Sequence, residues 1–189
     1  MFRDRSLRWR KGLLASLFFL TACADDSGSA QPGVGAQLPS VVLIGLTDEA
    51  PTSISALRGT ALVINFWATW CEPCRDEMQS LERLSHRLSA HGVRVVGITV
   101  DQDLNLAREF VRNRELTFPI YTDGDQKAFQ SWLRVRALPE TVFVTADGAI
   151  AARIVGARDW NSAEGDRLLE QVFNLRLAFA RGTPGSSLQ

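Results

Sequence analysis

Residues 61–74 read ALVINFWATWCEPC, and the reading of this stretch decides the fold. Its first eight residues are apolar except for Asn65 and rich in Val, Ile, Phe and Trp, as a strand buried on both faces requires. After Thr69-Trp70, the segment Cys71-Glu72-Pro73-Cys74 opens a helical pattern, with Met78, Leu81, Leu84 and Leu88 at three- and four-residue spacing. Pro73 suits a first helical turn, where the missing N–H would have no partner anyway. Cys71 therefore falls at a strand-to-helix junction, beside unpaired N–H groups and the positive end of the helix dipole.

Outward from this junction, short β-branched runs alternate with longer helical ones, the pattern of an α/β domain. Strands are expected over 41–44, 61–66, 93–100, 118–121, 141–145 and 150–155, and helices over 73–90, 103–114 and 161–180. Gly92 is expected to close the first helix. Asp123-Gly124 and Asp147-Gly148 mark turns, and the second makes the last two strands an antiparallel pair.

The chain begins differently. Arg3, Arg5, Arg8, Arg10 and Lys11 precede the apolar run GLLASLFFLTA at 12–22, the order of a secretory signal and too short to span a bilayer as a helix. Leu20-Thr21-Ala22-Cys23 resembles a bacterial lipobox, which implies cleavage before Cys23 and lipidation of its thiol. Three cysteines in an exported chain leave one unpaired, and lipid on Cys23 would leave Cys71 and Cys74 as a closed pair. The expected organisation is a lipoprotein signal peptide at 1–22, a lipidated N-terminus and flexible linker at 23–37, one domain at 38–180 and a flexible tail at 181–189. The 189 residues carry no net charge, and removal of the signal leaves 16 basic against 20 acidic groups. That balance gives no basis for holding nucleic acid phosphates.

The chemistry lies in the dithiol. A cysteine at a helix start can be pulled well below its free value of about 8.5, so Cys71 reads as the nucleophile. Cys74, one turn on, can attack the resulting mixed disulfide and release the reduced client. A static disulfide or half of a zinc site are the competing readings; a two-residue spacing makes a poor staple, and no second Cys or His pair exists. His86 and His91 read as solvated or capping residues. No cofactor and no metal site is expected.

Several separated motifs then resemble the thioredoxin superfamily, and within it the exported TlpA/ResA/DsbE group: Asn65-Phe66-Trp67-Ala68-Thr69-Trp70-Cys71-Glu72-Pro73-Cys74, Glu77, Phe118-Pro119, Leu138-Pro139-Glu140-Thr141 and Asp147-Gly148. The resemblance implies a thioredoxin-like fold, a central mixed sheet flanked by helices with an N-terminal strand extension. It implies that Pro139 is a cis-proline facing the dithiol, that Leu138 offers its backbone to a substrate segment, and that Glu140 belongs to the same substrate loop. Trp70 is expected to shape the substrate surface, with core packing as the alternative. Glu77 matches a family glutamate that tunes the thiols or moves a proton, against the alternative of a surface acid favoured by the helix dipole. Asn65 stands where cytoplasmic thioredoxins carry a buried aspartate. Gln79 replaces a proline that kinks the helix in most relatives, so a weaker kink is expected.

By this resemblance the chain is a lipid-anchored, monomeric thiol-disulfide oxidoreductase facing the periplasm or another extracytoplasmic space. Its expected action is reduction of disulfides in exported proteins, with apocytochrome c among the clients and a CcdA/DsbD-type membrane protein as electron donor. A disulfide oxidant or isomerase and a copper-site assembly factor are the alternatives.

Overall fold

The computed structural model describes residues 32–124 and 128–177. The signal segment 1–22, Cys23 with the linker up to residue 31, and the tail 181–189 lie outside the described residues.

A seven-stranded sheet runs in the order β2-β1-β5-β4-β3-β6-β7, with β1 Val42–Gly45, β2 Thr52–Ser53, β3 Ala61–Trp67, β4 Val93–Thr99, β5 Ile120–Thr122, β6 Glu140–Val144 and β7 Ile150–Val155. β3, β4 and β5 are parallel; β6 and β7 form the antiparallel hairpin expected at Asp147-Gly148, and β1 extends the sheet antiparallel to β5. The helices are α1 Glu72–Ser89, α2 Leu104–Asn113, α3 Ala128–Leu133 and α4 Ala163–Phe173. This is the thioredoxin-like α/β architecture, a mixed sheet flanked by helices.

Strand β3 lies in the interior of the sheet, between β4 and β6, because its side chains are apolar on both faces. Val63 and Trp67 point into a core with Met78, Leu81, Leu84 and Leu88 of α1, Ala107 and Val111 of α2 and Leu169 of α4. Leu62, Ile64 and Phe66 point into the opposite core, with Leu133 and Phe129 of α3 and with Ile54 and Leu57 of a 3-10 helix, Ile54–Leu57. Asn65 is the polar exception, fully buried on the α1 side by the period of two.

Several boundaries differ from expectation. β5 starts at Ile120, after Pro119, which has no N–H to give to the ladder. α4 covers less than 161–180, because Ser162 caps its start and Asn174 ends it in the left-handed conformation at φ 50°. β2, the 3-10 helix and α3 were not anticipated; each is six residues or fewer, too short for periodicity to register. The end of the expected linker is not loose: Gly35 N–H donates to Ile150 O at 2.8 Å, Ile150 N–H to Ala36 O at 2.9 Å, and Gln37 bridges Ala149. Residues 32–37 thus lie along β7 and belong to the folded unit.

Candidate active site

α1 begins at the dithiol. Cys71 is its N-cap, and the Cys71 sulfur accepts from the Cys74 N–H at 3.3 Å, so the side chain itself satisfies an otherwise orphan donor. Cys71 and Cys74 form a disulfide with Cα atoms 5.2 Å apart. Cys74 is fully buried, whereas Cys71 retains 7% of its surface. An approaching sulfur therefore meets Cys71 first. α1 runs uninterrupted through Gln79, whose side-chain amide donates to the Arg114 carbonyl at 2.7 Å.

Glu77 lies one turn after Cys74 on the sheet-facing side of α1 and is 3% exposed. It is not the surface acid that helix-dipole preference alone would place there. Its Oε1 accepts from Asn65 Nδ2 at 2.7 Å and its Oε2 from the Arg158 N–H at 3.1 Å. Burial pushes its pKa up from 4.5 to about 7, while the Arg158 N–H and the Asn65 amide pull the other way. Asn65 also donates to Thr141 Oγ1 at 3.0 Å, tying β3, α1 and β6 together beneath the cysteines.

The loop before β6 lies at the same sheet edge, because β6 runs antiparallel to β3 with Phe66 opposite Glu140. Its Leu138–Pro139 bond is cis. Leu138 is half-buried against the core that contains both cysteines, and its backbone N–H and C=O make no hydrogen bond among the described residues. Pro139 is engaged on its far side, accepting from the Gly156 N–H at 2.8 Å. The Glu140 side chain turns inward. It is 2% exposed and paired with Arg153, whose Nε donates to Glu140 Oε1 at 2.7 Å. Glu140 thus helps to fix the loop instead of presenting a carboxylate to a client, which corrects its expected place at the substrate surface.

The two tryptophans of the motif separate. Trp67 is fully buried and packs on Phe110 with ring centroids 5.3 Å apart, whereas Trp70 is 68% exposed beside Cys71. Asp101, which sequence reading passed over, holds the loop carrying Trp70: its carboxylate accepts from the Thr69 N–H at 3.0 Å, from Thr69 Oγ1 at 2.7 Å and from Thr99 Oγ1 at 2.7 Å. Its only sequence signal is its position just after a strand. Arg75 reaches the Thr69 carbonyl at 3.3 Å from α1. His86 is largely solvated, as expected, and its Nε2 meets Glu82 Oε1 at 2.8 Å.

The Redoxin family model matches residues 33–169. The thiol-disulfide oxidoreductase ResA of Bacillus subtilis strain 168 is 26% identical over 160 residues, covering 82% of this chain and 88% of that protein. ResA of Oceanobacillus iheyensis is 30% identical over 118 residues, 62% of this chain and 61% of that protein. The structure of a secreted Mycobacterium tuberculosis disulfide oxidoreductase, homologous to E. coli DsbE, superposes with a TM-score of 0.58 at 26% identity, covering 72% of this chain and 96% of that one. This chain combines a buried Cys74 behind an accessible Cys71 with a cis-proline loop at the same end of β3 and β6, and it belongs to the Redoxin family, among its ResA- and DsbE-like thiol-disulfide oxidoreductases.

Proposed function

We propose that this protein reduces disulfides in exported proteins, Cys71 attacking the client sulfur and Cys74 resolving the mixed disulfide. The observation that carries the reading is the unequal exposure of the pair: Cys71 is reachable at the start of α1, while Cys74 is fully enclosed and one helical turn away. In the forward reaction the two protein thiols become the disulfide as the client disulfide becomes two thiols, so two electrons and two protons pass to the client.

Glu72, exposed in the first turn between the two cysteines, supports the reducing direction. Negative charge near the sulfurs opposes thiolate formation, which makes the disulfide harder to reduce and the dithiol a better electron donor. Glu77, buried one turn beyond Cys74 with its proton held up to about neutral pH, supports a role in moving a proton and not in supplying charge. The free backbone of Leu138 offers a client segment an extended strand to pair with beside Cys71.

The wider setting belongs to the same proposal. The basic and apolar N-terminus ending in Cys23 supports export with a lipid anchor, and the ResA name of the relatives supports clients in cytochrome c maturation. An oxidising compartment then requires a membrane thiol donor of the CcdA/DsbD type.

A Cys74→Ala variant should remain covalently joined to its clients through Cys71, and mass spectrometry of the trapped species should identify exported proteins with cysteine pairs. A reduction potential close to about −270 mV supports the reductase, whereas one near about −120 mV would make the protein an oxidant. Labelling with a radioactive fatty acid, lost in Cys23→Ser, tests the anchor.

A further inference from the structure

The chain enters the folded body towards its dithiol end. Residues 32–37 run antiparallel to β7: Gly35 N–H donates to Ile150 O at 2.8 Å and Gln37 bridges Ala149, while the Pro32 carbonyl accepts from Arg153 Nη1 at 3.1 Å. β7 carries Ile150 opposite Val144 and Val155 opposite Glu140, and Glu140 in turn lies opposite Phe66, near the end of β3 that leads to Cys71. Traced back from Gln37 to Pro32, the chain therefore climbs from the far end of the sheet towards the dithiol.

One guanidinium fixes this root. Arg153 donates to the Pro32 carbonyl, to the Leu133 carbonyl at 2.9 Å and to Glu140 Oε1 at 2.7 Å, so the root sits against both ends of the loop 134–139 that carries the cis-proline. Arg134 and Arg136 of that loop line a surface depression of about 380 Å3, and Arg136 is exposed. Residues 24–31 separate Cys23 from Pro32 in the sequence. Fully extended, that length of chain reaches at most about 30 Å. A body of this size is about 38 Å across, so the path around it from pole to pole is about 60 Å. With Cys23 held at a bilayer surface by its lipid, Pro32 cannot stand on the side turned away from the bilayer.

We propose that the end of the molecule bearing the dithiol and the loop 134–139 is its membrane-facing side, and that Arg136 rests there on the anionic headgroups of the lipid surface. The short tether sets which side meets the bilayer, and the arginine adds attraction within a screening length of the charged surface. Cys71 then faces partners held in the bilayer, and a client reaches it at that surface. The opposite end, where α1 stops at Ser89 and β4 starts at Val93, is turned to the solvent. This inference rests on the lipid anchor at Cys23 proposed above and adds to it the orientation of the folded body.

The test uses the full-length lipidated protein in vesicles of phosphatidylcholine and phosphatidylglycerol, with the photocrosslinker p-benzoylphenylalanine placed at Ala137 or at Ser89, both exposed. After irradiation, mass spectrometry counts the lipid adducts at each position. The expected yield is about fivefold higher at Ala137 than at Ser89. An insertion of about 25 Gly and Ser residues between Gln31 and Pro32 extends the reach beyond the path around the body and should lower that ratio. Arg136→Gln should lower the ratio of phosphatidylglycerol to phosphatidylcholine adducts at Ala137 by about fivefold. Equal yields at the two positions, a higher yield at Ser89, or a yield ratio unchanged by the insertion overturns the orientation; an adduct ratio unchanged in Arg136→Gln overturns the headgroup contact. In each of these cases the protein still floats with the vesicles in a density gradient, and the anchor stands. Failure of the parent protein to float, or flotation that persists in Cys23→Ser, would overturn the anchor and the orientation with it.

Discussion

The amide of Asn65 in β3 donates to Glu77 Oε1 at 2.7 Å, from an interior strand of the sheet to the underside of α1. One hydrogen bond thus couples a buried strand amide to the buried carboxyl one helical turn beyond the resolving cysteine. The strand supplies the donor that holds the helix acid in place.

Stability should depend on pH through Glu77. Its folded value of about 7 lies above the unfolded 4.5, so below 4.5 the group is neutral in both states and carries no penalty. As pH rises from 4.5 towards 7 the unfolded chain ionises first and stability falls, by an amount on the order of 3 kcal/mol once both are ionised. Glu77→Gln should flatten this decline and be more stable than the parent above neutrality, as followed by urea unfolding at a series of pH values.

Removing the Asn65 amide should act on the same group. Asn65→Ala strips Glu77 Oε1 and Thr141 Oγ1 of a buried donor and should cost about 1–3 kcal/mol. Asn65→Asp instead places a second carboxyl against Glu77, which should raise the apparent titration of the pair further. The pH dependence of client reduction, compared for the two variants, reads this separately from stability.

The loop carrying Pro139 should depend on a buried ion pair. Arg153 binds Glu140 and also donates to the Leu133 carbonyl at 2.9 Å and the Pro32 carbonyl at 3.1 Å. Arg153→Met leaves Glu140 buried without its partner and should destabilise by about 3–5 kcal/mol, whereas the double change with Glu140→Leu should recover much of that loss in thermal unfolding.

The far end of the molecule should show the opposite acid dependence. Burial works against ionised Glu82, but the Thr117 hydroxyl and N–H, with His86, hold its carboxyl below its ordinary value. Its contribution is present above about 4.5 and lost as pH falls through the lower folded value. Thr117→Val should cost about 1 kcal/mol at neutral pH and raise the midpoint of acid unfolding.

Much of the architecture was legible because its causes are local. The burial of Met78, Leu81, Leu84 and Leu88 follows from their spacing along one helix, and the β6–β7 hairpin follows from Asp147-Gly148 between two apolar runs. Asp103 and Arg114, the expected limits of the second helix, are its two caps. The short elements were illegible, since α3 and the 3-10 helix owe their existence to Phe129, Leu133, Ile54 and Leu57 filling one face of the sheet.

By itself, the sequence 61–74 determined that a buried strand leads into a helix with Cys71 at its start, because hydrophobic period and proline placement act within a few residues. Only the tertiary structure decided what surrounds that start. Trp67 and Trp70 are three residues apart with the same chemistry, yet one is enclosed by Phe110 and the other stands in water. Glu77 is buried because Asn65, 12 residues back, and Arg158, 81 residues ahead, bond both its oxygens. Burial and pairing are sums over neighbours brought from distant parts of the chain, and no local pattern contains them.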